Sequence, residues 1–476
     1  MNIHYDESRC GSGKTLNALQ DMAARPGRYI YAVDRRDQIA DRIAALGGFA
    51  RAANTTPIIM RIASEDGGKF CENVARRIEA LPDYYANQEH VIAIITHEGM
   101  KSADHSGFAG WEIIIDEDPG FLELVSWNVP AGKVLLESYY ELEPAANGVS
   151  AIKSKRNTVT AGDIQADDLC KGLLKLHRRV QSGSAYCTLT SWDDLSDSKT
   201  PKFAWWSMWD PRKLASYDRA SILANNFSKK LSFEVIARKF ATEVKLVQLP
   251  GPPLQPYVTR DVRIEYFSST HAASRTVWQN NGDGRNVLNL IEKYVDGNAK
   301  DDHLWCANLY KDAFDSRGDK VTPKVAGTNI FRSITDCTVI YSAKASSCEV
   351  KMLKAIFGRA VGRQHILTDR ETEDLIQIVM RTSLREPDDD RPVTLRVYDH
   401  FQAQALENYL VGAGYGFNVT LAHVDVGADA IKVRSVGRPK SDGPRTTSTD
   451  RMRKKRAKDK AAAPAKTKPK TRAKAA

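Results

Sequence analysis

"SRCGSGKTLNALQ", Ser8 to Gln20, crowds two glycines against a lysine and a threonine, and a helical pattern begins at once. Upstream, "IHY" (3–5) is a short strand candidate. Downstream, Leu16, Leu19 and Met22 recur at helical spacing until "RPG" (25–27) ends the run. The chain therefore opens as strand, glycine loop, helix. The alternation continues with strand candidates "YIYAV" (29–33), "PIIMRIA" (57–63), "VIAIIT" (91–96) and "WEIIID" (111–116). Between them "DQIADRIAAL" (37–46) and "CENVARRIEAL" (71–81) carry helical periodicity. Strands alternating with helices predict a parallel sheet covered on both faces.

Residues 130–220 read as a less regular insertion. They include the helical "CKGLLKLHRRV" (170–180) and the tryptophan-rich "FAWWSMWD" (203–210). Trp205, Trp206 and Trp209 are weighed as base-stacking groups and as core anchors, and the core reading is preferred. "LPGPPLQP" (249–256) has four prolines in eight residues, which suits a linker. Alternation then resumes with "VRIEYF" (262–267), "NVLNLIEKYV" (286–295), "CTVIYSA" (337–343), "DLIQIVMRTSL" (374–384) and "VTLRVYD" (393–399). The expected fold class is α/β. Domain one is 1–248, the linker 249–256, domain two 257–432, and a disordered basic tail 433–476.

The net charge of +10 resides in that tail, where 16 Lys/Arg face three Asp; the preceding residues are near −3. Such a tail suits salt-sensitive binding to a nucleic-acid backbone. Within it "GRPK" (437–440) resembles half of an AT-hook, making Arg438 and Lys440 candidate minor-groove contacts. Seven cysteines without a C-x-x-C pair argue against a disulfide frame or zinc site. The longest apolar runs are strand-length, and no secretory signal is evident, so a cytoplasmic protein is expected.

The opening loop has the composition of a phosphate cradle. Gly11 and Gly13 let backbone N–H groups converge, and the helix offers its positive end. Lys14 would reach the β- and γ-phosphates and Thr15 would ligate magnesium. The full pattern has glycine where Ser8 stands. Its needed partner is an acidic strand end, and "WEIIIDEDPG" supplies one. Asp116 would hold magnesium and Glu117 would deprotonate the attacking water. Late in the chain, "QIVMRTSLR" spaces Gln377, Arg381 and Arg385 four apart, which predicts one helical face carrying an amide and two guanidiniums. Guanidinium suits the charge that develops on a γ-phosphate.

With these parts assembled, the chain resembles a superfamily-two helicase of the DEAD/DEAH type, in its divergent phage and plasmid branch. "SRCGSGKT" resembles motif I, "DEDP" (116–119) motif II and "QIVMRTSLR" motif VI. "AVDRRDQ" (32–38) and "ITHEGM" (95–100) resemble motifs Ia and Ib. "ILANNF" (222–227), "WCANLYKD" (305–312) and "VAGTNIFRSITDCTVIYSA" (325–343) take the places of motifs III, IV and V. The resemblance implies two tandem RecA-like domains with ATP and Mg2+ between them, in the cytoplasm of a bacterial or phage-infected cell. It implies ATP binding by Cys10, Gly11, Ser12, Gly13, Lys14 and Thr15, with Thr15 and Asp116 on the metal. Glu117, Gln377, Arg381 and Arg385 become the catalytic set. Arg35, Arg36, Thr96, His97, Thr328 and Asn329 become contacts to a single strand of DNA or RNA. Motif III departs from the family: Asn225 and Asn226 stand where a hydroxyl helps link hydrolysis to strand movement. The expected function is an ATP-dependent translocase, a DNA helicase in the leading version. A nucleic-acid-tethered remodelling ATPase that does not separate strands is the alternative, and a small-molecule kinase the more distant one.

Overall fold

The computed structural model describes the chain apart from residues 65–73, 130–131, 146–147, 157, 198–201, 254, 280–281, 309–313, 324–329 and 432–476, and the side chains of 194–197, 275, 279 and 282. The described residues up to Ile431 belong to one compact unit.

Its first sheet grows from the apolar runs of the N-terminal half. β1 (Asn2–Asp6), β2 (Arg28–Val33), β3 (Ile58–Ile62), β4 (Val91–Thr96) and β5 (Trp111–Asp116) are its first five strands. Ile92 to Ile95 of β4 and Ile113 and Ile115 of β5 are wholly buried, as strands covered on both faces must be. The chain then leaves this sheet for a second one: β6 (Leu122–Asn128), β7 (Tyr140–Pro144), β8 (Val149–Ser154), β9 (Ala185–Thr188) and β10 (Lys202–Met208). It returns with β11 (Arg219–Leu223) and β12 (Lys245–Gln248) to complete a seven-stranded parallel sheet in the order β12-β1-β11-β5-β2-β4-β3. A six-stranded parallel sheet follows, built from β13 (Asp261–Ser268), β14 (His303–Ala307), β15 (Asp319–Lys320), β16 (Asp336–Ile340), β17 (Val393–Asp399) and β18 (Asn418–His423). Its order is β15-β14-β16-β17-β13-β18. Two parallel sheets flanked by helices make this an α/β protein, as the sequence predicts.

The stretch expected to be irregular is instead an antiparallel sheet of five strands, in the order β6-β10-β9-β8-β7. Its strands alternate buried and wet residues, and β7 ("YELEP") buries only Tyr140 well. That alternation gives no long apolar run to read. Trp205, Trp206 and Trp209 are 0%, 1% and 3% exposed, so they anchor cores and do not present faces for base stacking.

The inserted sheet ties the molecule together in two places. Arg179, on the helix Leu174–Gln181, reaches Glu98 (2.8 Å) and Glu123 (3.0 Å), while Lys101 lies 3.5 Å from Glu123. On its other side, the helix Ser347–Phe357 from the C-terminal half packs on β6, β9 and β10. Met352, Leu353 and Ile356 of that helix share one core with Leu122, Trp206 and the first sheet. Among the described residues, no helix is long and apolar enough to cross a membrane.

Candidate functional site

A cleft of about 490 Å³ opens where the carboxyl end of the first sheet meets the second half of the chain. Residues Cys10 to Thr15, Asp116, Glu117, Gln377, Arg381 and Arg385 all line it. Parallel strands place ligands at this end of the sheet, because loops and helix N-termini converge there.

The glycine loop leaves β1 and turns into the helix Lys14–Ala24. Gly11 and Gly13 hold φ of 78° and 83°, the left-handed region that a side chain disfavours. Gly13 is the helix N-cap, and its carbonyl already accepts from the Asn17 N–H at 2.8 Å. The following N–H groups therefore face the cleft without intrahelical acceptors. Lys14 Nζ donates to the Ser8 carbonyl at 3.0 Å. Behind the loop, Gly251 comes so close that a Cβ there would overlap Ser8 Oγ.

At the end of β5, Thr15 Oγ1 donates to Asp116 Oδ1 at 2.8 Å. Asp116 Oδ2 accepts from Arg42 at 3.2 Å. Arg42 lies on the helix Gln38–Ala52, on the flank of the apolar face that Ile39, Ile43 and Leu46 define. The sequence signal for it was a polar stripe of Gln38, Asp41 and Arg42 on that helix, all of which line the cleft. Thr15 and Asp116 offer hard oxygen donors of the kind that Mg2+ takes when phosphates complete its shell. The residues present therefore fit a magnesium nucleotide.

Glu117 has φ of 73°, one of three non-glycine residues with positive φ among those described. Its N–H donates to the Leu223 carbonyl at 3.0 Å, which locks β5 to β11 and fixes the strained turn. Burial, and then the Asp116 carboxylate beside it, push its carboxyl up to about 7. A carboxyl with that value is suited to receive a proton near neutrality.

From the other side come Gln377, Arg381 and Arg385. The sequence places them on one helical face; the structure corrects this. The helix Glu373–Val379 ends before Arg381, and Arg385 lies in the 3₁₀ turn Ser383–Arg385. Thr382 is the reason: its extended backbone and its side chain cap the new turn. All three still reach the cleft. Arg381 is 7% exposed and donates to Gln377 Oε1 at 3.4 Å. Burial, and then Arg385, lower its pKa, which marks it as a cation short of counter-charge.

Cross-cleft contacts missed by sequence reasoning seal the loop. The Cys10 N–H donates to Tyr409 Oη (3.0 Å), and Tyr415 Oη donates to the Cys10 carbonyl (2.7 Å). Arg9 donates to the carbonyls of Ala413 and Gln255, both at 2.9 Å, and lies over the Tyr415 ring at 4.3 Å. Nothing in "LENYL" announces such a role, because the partners lie about 400 residues apart in sequence.

The expected strand contacts divide. Arg35, Arg36 and Thr96 border an open groove of about 720 Å³ with Arg61, Ser64 and Glu98, beyond the ends of β2, β3 and β4. Arg36 Nη1 donates to Ser64 Oγ at 3.1 Å, and Thr96 caps the helix His97–Ser102. His97 is a correction: it is 3% exposed, and its Nε2 lies 3.0 Å from the Asp116 carbonyl. As the first residue of its helix it turns beneath β5, bracing the acidic strand end and not facing solvent. Burial lowers its pKa. Thr328, Asn329, Arg438 and Lys440 lie outside the described residues.

A scan against protein-family models found no match, and a search of curated proteins found none either. Several solved structures are similar in arrangement. Apo XPD is 11% identical, with 89% of this chain and 97% of that one covered and a TM-score of 0.46. Dbp5 of S. cerevisiae, bound to RNA and ADP BeF3, is 9% identical over 90% of this chain and 86% of its own, with a TM-score of 0.38. A DEAD box protein from the hyperthermophile Methanococcus jannaschii is 9% identical, with 88% of each chain covered and a TM-score of 0.30.

Proposed function

We propose that the chain is a nucleic-acid-dependent ATPase that moves along a single strand, a DNA helicase in its fullest form. One observation carries the reading. Lys14, Thr15, Asp116, Glu117, Gln377, Arg381 and Arg385, drawn from both halves of the chain, line a single cleft.

In this reading the loop N–H groups and Lys14 bind the β- and γ-phosphates. Thr15 and Asp116 would hold Mg2+, which supplies charge neutralisation at the phosphates. Glu117 orients the attacking water and takes its proton. Arg381 and Arg385 stabilise the charge on the transferred group, a contribution of roughly 10³–10⁵ in rate where such arginines have been removed. The groove of Arg35, Arg36 and Thr96 receives the strand, through backbone contacts that carry no base preference. The basic tail adds salt-sensitive affinity.

Steady-state ATP hydrolysis, with and without single-stranded DNA or RNA, tests this. The parent should be stimulated by one polymer, and Lys14→Ala, Glu117→Gln and Arg381→Ala should lose activity. Parental activity in all three variants would refute it. A second reading, remodelling without strand separation, is favoured by Asn225 and Asn226 in the motif III place and by the inserted sheet packed on the helix Ser347–Phe357. Polymer-stimulated hydrolysis with no displacement on any tailed duplex would select it. Hydrolysis indifferent to nucleic acid would select the small-molecule kinase.

A further inference from the structure

We propose that Glu373 is a positioning residue for Arg381, and that Asn225 orients it from the opposite side of the cleft. The inference rests on the ATPase reading above and deepens it.

Six hydrogen bonds link the glycine loop to Arg381 with mutually consistent donors and acceptors. The Cys10 N–H donates to Tyr409 Oη at 3.0 Å, and Tyr409 donates onward to Asn225 Oδ1 at 3.2 Å. That leaves the Asn225 nitrogen turned the other way, where it donates to both Glu373 oxygens at 3.2 and 3.1 Å. Among the described residues, the groups in direct contact with the Glu373 carboxylate are donors: Asn225, the Lys230 ammonium at 3.5 Å, and Gln377 Nε2 at 2.9 Å. An amide has one donor end and one acceptor end. With its nitrogen committed to Glu373, Gln377 must present Oε1 to Arg381, which donates to it at 3.4 Å. Reversal of either amide would set donor against donor or acceptor against acceptor.

The centre of this network is shielded from water, while Gln377, Tyr409 and Cys10 are partly exposed. Asn225, Lys230, Glu373 and Arg381 are 2%, 6%, 8% and 7% exposed. In so dry a setting an unmatched polar end is costly, so the network has one favourable orientation. Among the described residues Arg381 Nε has no hydrogen-bond partner, which makes the Gln377 contact more consequential for where the guanidinium points. The relay begins at a loop N–H that would border phosphate and crosses between the two sequence halves three times before reaching Arg381. It joins Asn225 on the first half of the chain to Arg381 on the second through matched donors and acceptors.

The test is ATP hydrolysis by Arg381→Ala, Asn225→Ala, Asn225→Asp, Glu373→Gln and the double variant Asn225→Ala/Arg381→Ala. Equilibrium binding of a fluorescent ATP analogue and melting temperature are measured alongside. Asn225→Asp preserves volume while placing an acceptor against Glu373. The expected result is a loss in kcat of roughly tenfold to hundredfold in each Asn225 variant and in Glu373→Gln. KM and analogue binding should stay within about twofold, and the double variant should be no slower than Arg381→Ala alone. Parental kcat in both Asn225 variants, beside an inactive Arg381→Ala, would overturn the relay and leave the ATPase reading standing. Additive losses in the double variant would overturn it too. Parental activity in Arg381→Ala would overturn both.

Discussion

Replacing Glu117 by glutamine should make the folded protein more stable at alkaline pH while removing the ATP hydrolysis proposed above. The side chain sits in the cleft beside Asp116, with its carboxyl displaced from 4.5 to about 7 by burial and by that neighbour. A raised carboxyl value means the folded state holds the proton more tightly than the unfolded chain does. The stability so contributed is fully present below 4.5 and is lost as pH rises through about 7. At about 1.36 kcal/mol per pH unit, the interval corresponds to roughly 3 kcal/mol. Glutamine carries no charge to desolvate and escapes that loss. Denaturant unfolding of parent and Glu117→Gln should therefore coincide near pH 4 and separate by about 2–3 kcal/mol at pH 8.5, with the variant the more stable. In parallel, kcat/KM of the parent should fall about tenfold per pH unit on the acid side of a limb centred near neutrality. A variant that gains nothing at pH 8.5, or a parent limb centred near 4.5, would refute the reasoning.

Other consequences can be checked separately. Burial alone would raise Glu123, but Lys101, Arg179 and Lys175 hold it down to about 2, so its stabilisation is present above 4.5 and is lost as pH falls through about 2. Glu123→Gln should cost about 3 kcal/mol at pH 7 by denaturant unfolding, since it leaves buried Arg179 and Lys101 short of counter-charge, and the difference should shrink below pH 4. Gly13→Ala must adopt φ near 83°, so it should lose about 1–2 kcal/mol of stability and weaken binding of a fluorescent ATP analogue. Trp206→Ala opens a cavity between the first sheet and the insertion, and should cost about 3–5 kcal/mol in thermal unfolding. Arg36→Ala should lower the slope of log affinity against log salt for a single-stranded oligonucleotide by about 0.7.

The parts legible in the sequence share a physical cause: they are local. Gly13-Lys14-Thr15 declares itself because the left-handed glycines and the helix start that follows them are set by consecutive residues. "WEIIID" declares itself because a strand buried on both faces must be apolar until its carboxylate emerges. The inserted sheet was harder, since its antiparallel strands expose one face and β7 and β8 mix Glu, Lys and Ser with their few buried residues. Gln377, Arg381 and Arg385 reach the cleft although the helical spacing that suggested them fails beyond Val379. Least legible were Arg42, Tyr409 and Glu373. Each is ordinary in its own segment, and its partner is brought near only by the finished fold. His97 turns inward, where its sequence position after a strand end suggests a surface loop, because the Asp116 carbonyl lies within hydrogen-bond reach of its ring.

The helix Ser347–Phe357 sits in the second half of the chain but shares its apolar face with the insertion. Met352, Leu353 and Ile356 are 2%, 0% and 6% exposed there, and wetting each again would cost about 1.5–3 kcal/mol. That sum acts as a brake on amplitude. A wide gape of the two halves is expensive, whereas a short glide that keeps those three side chains covered is cheap. Movement between the halves is accordingly favoured as a shear of small travel, with the inserted sheet as its bearing surface.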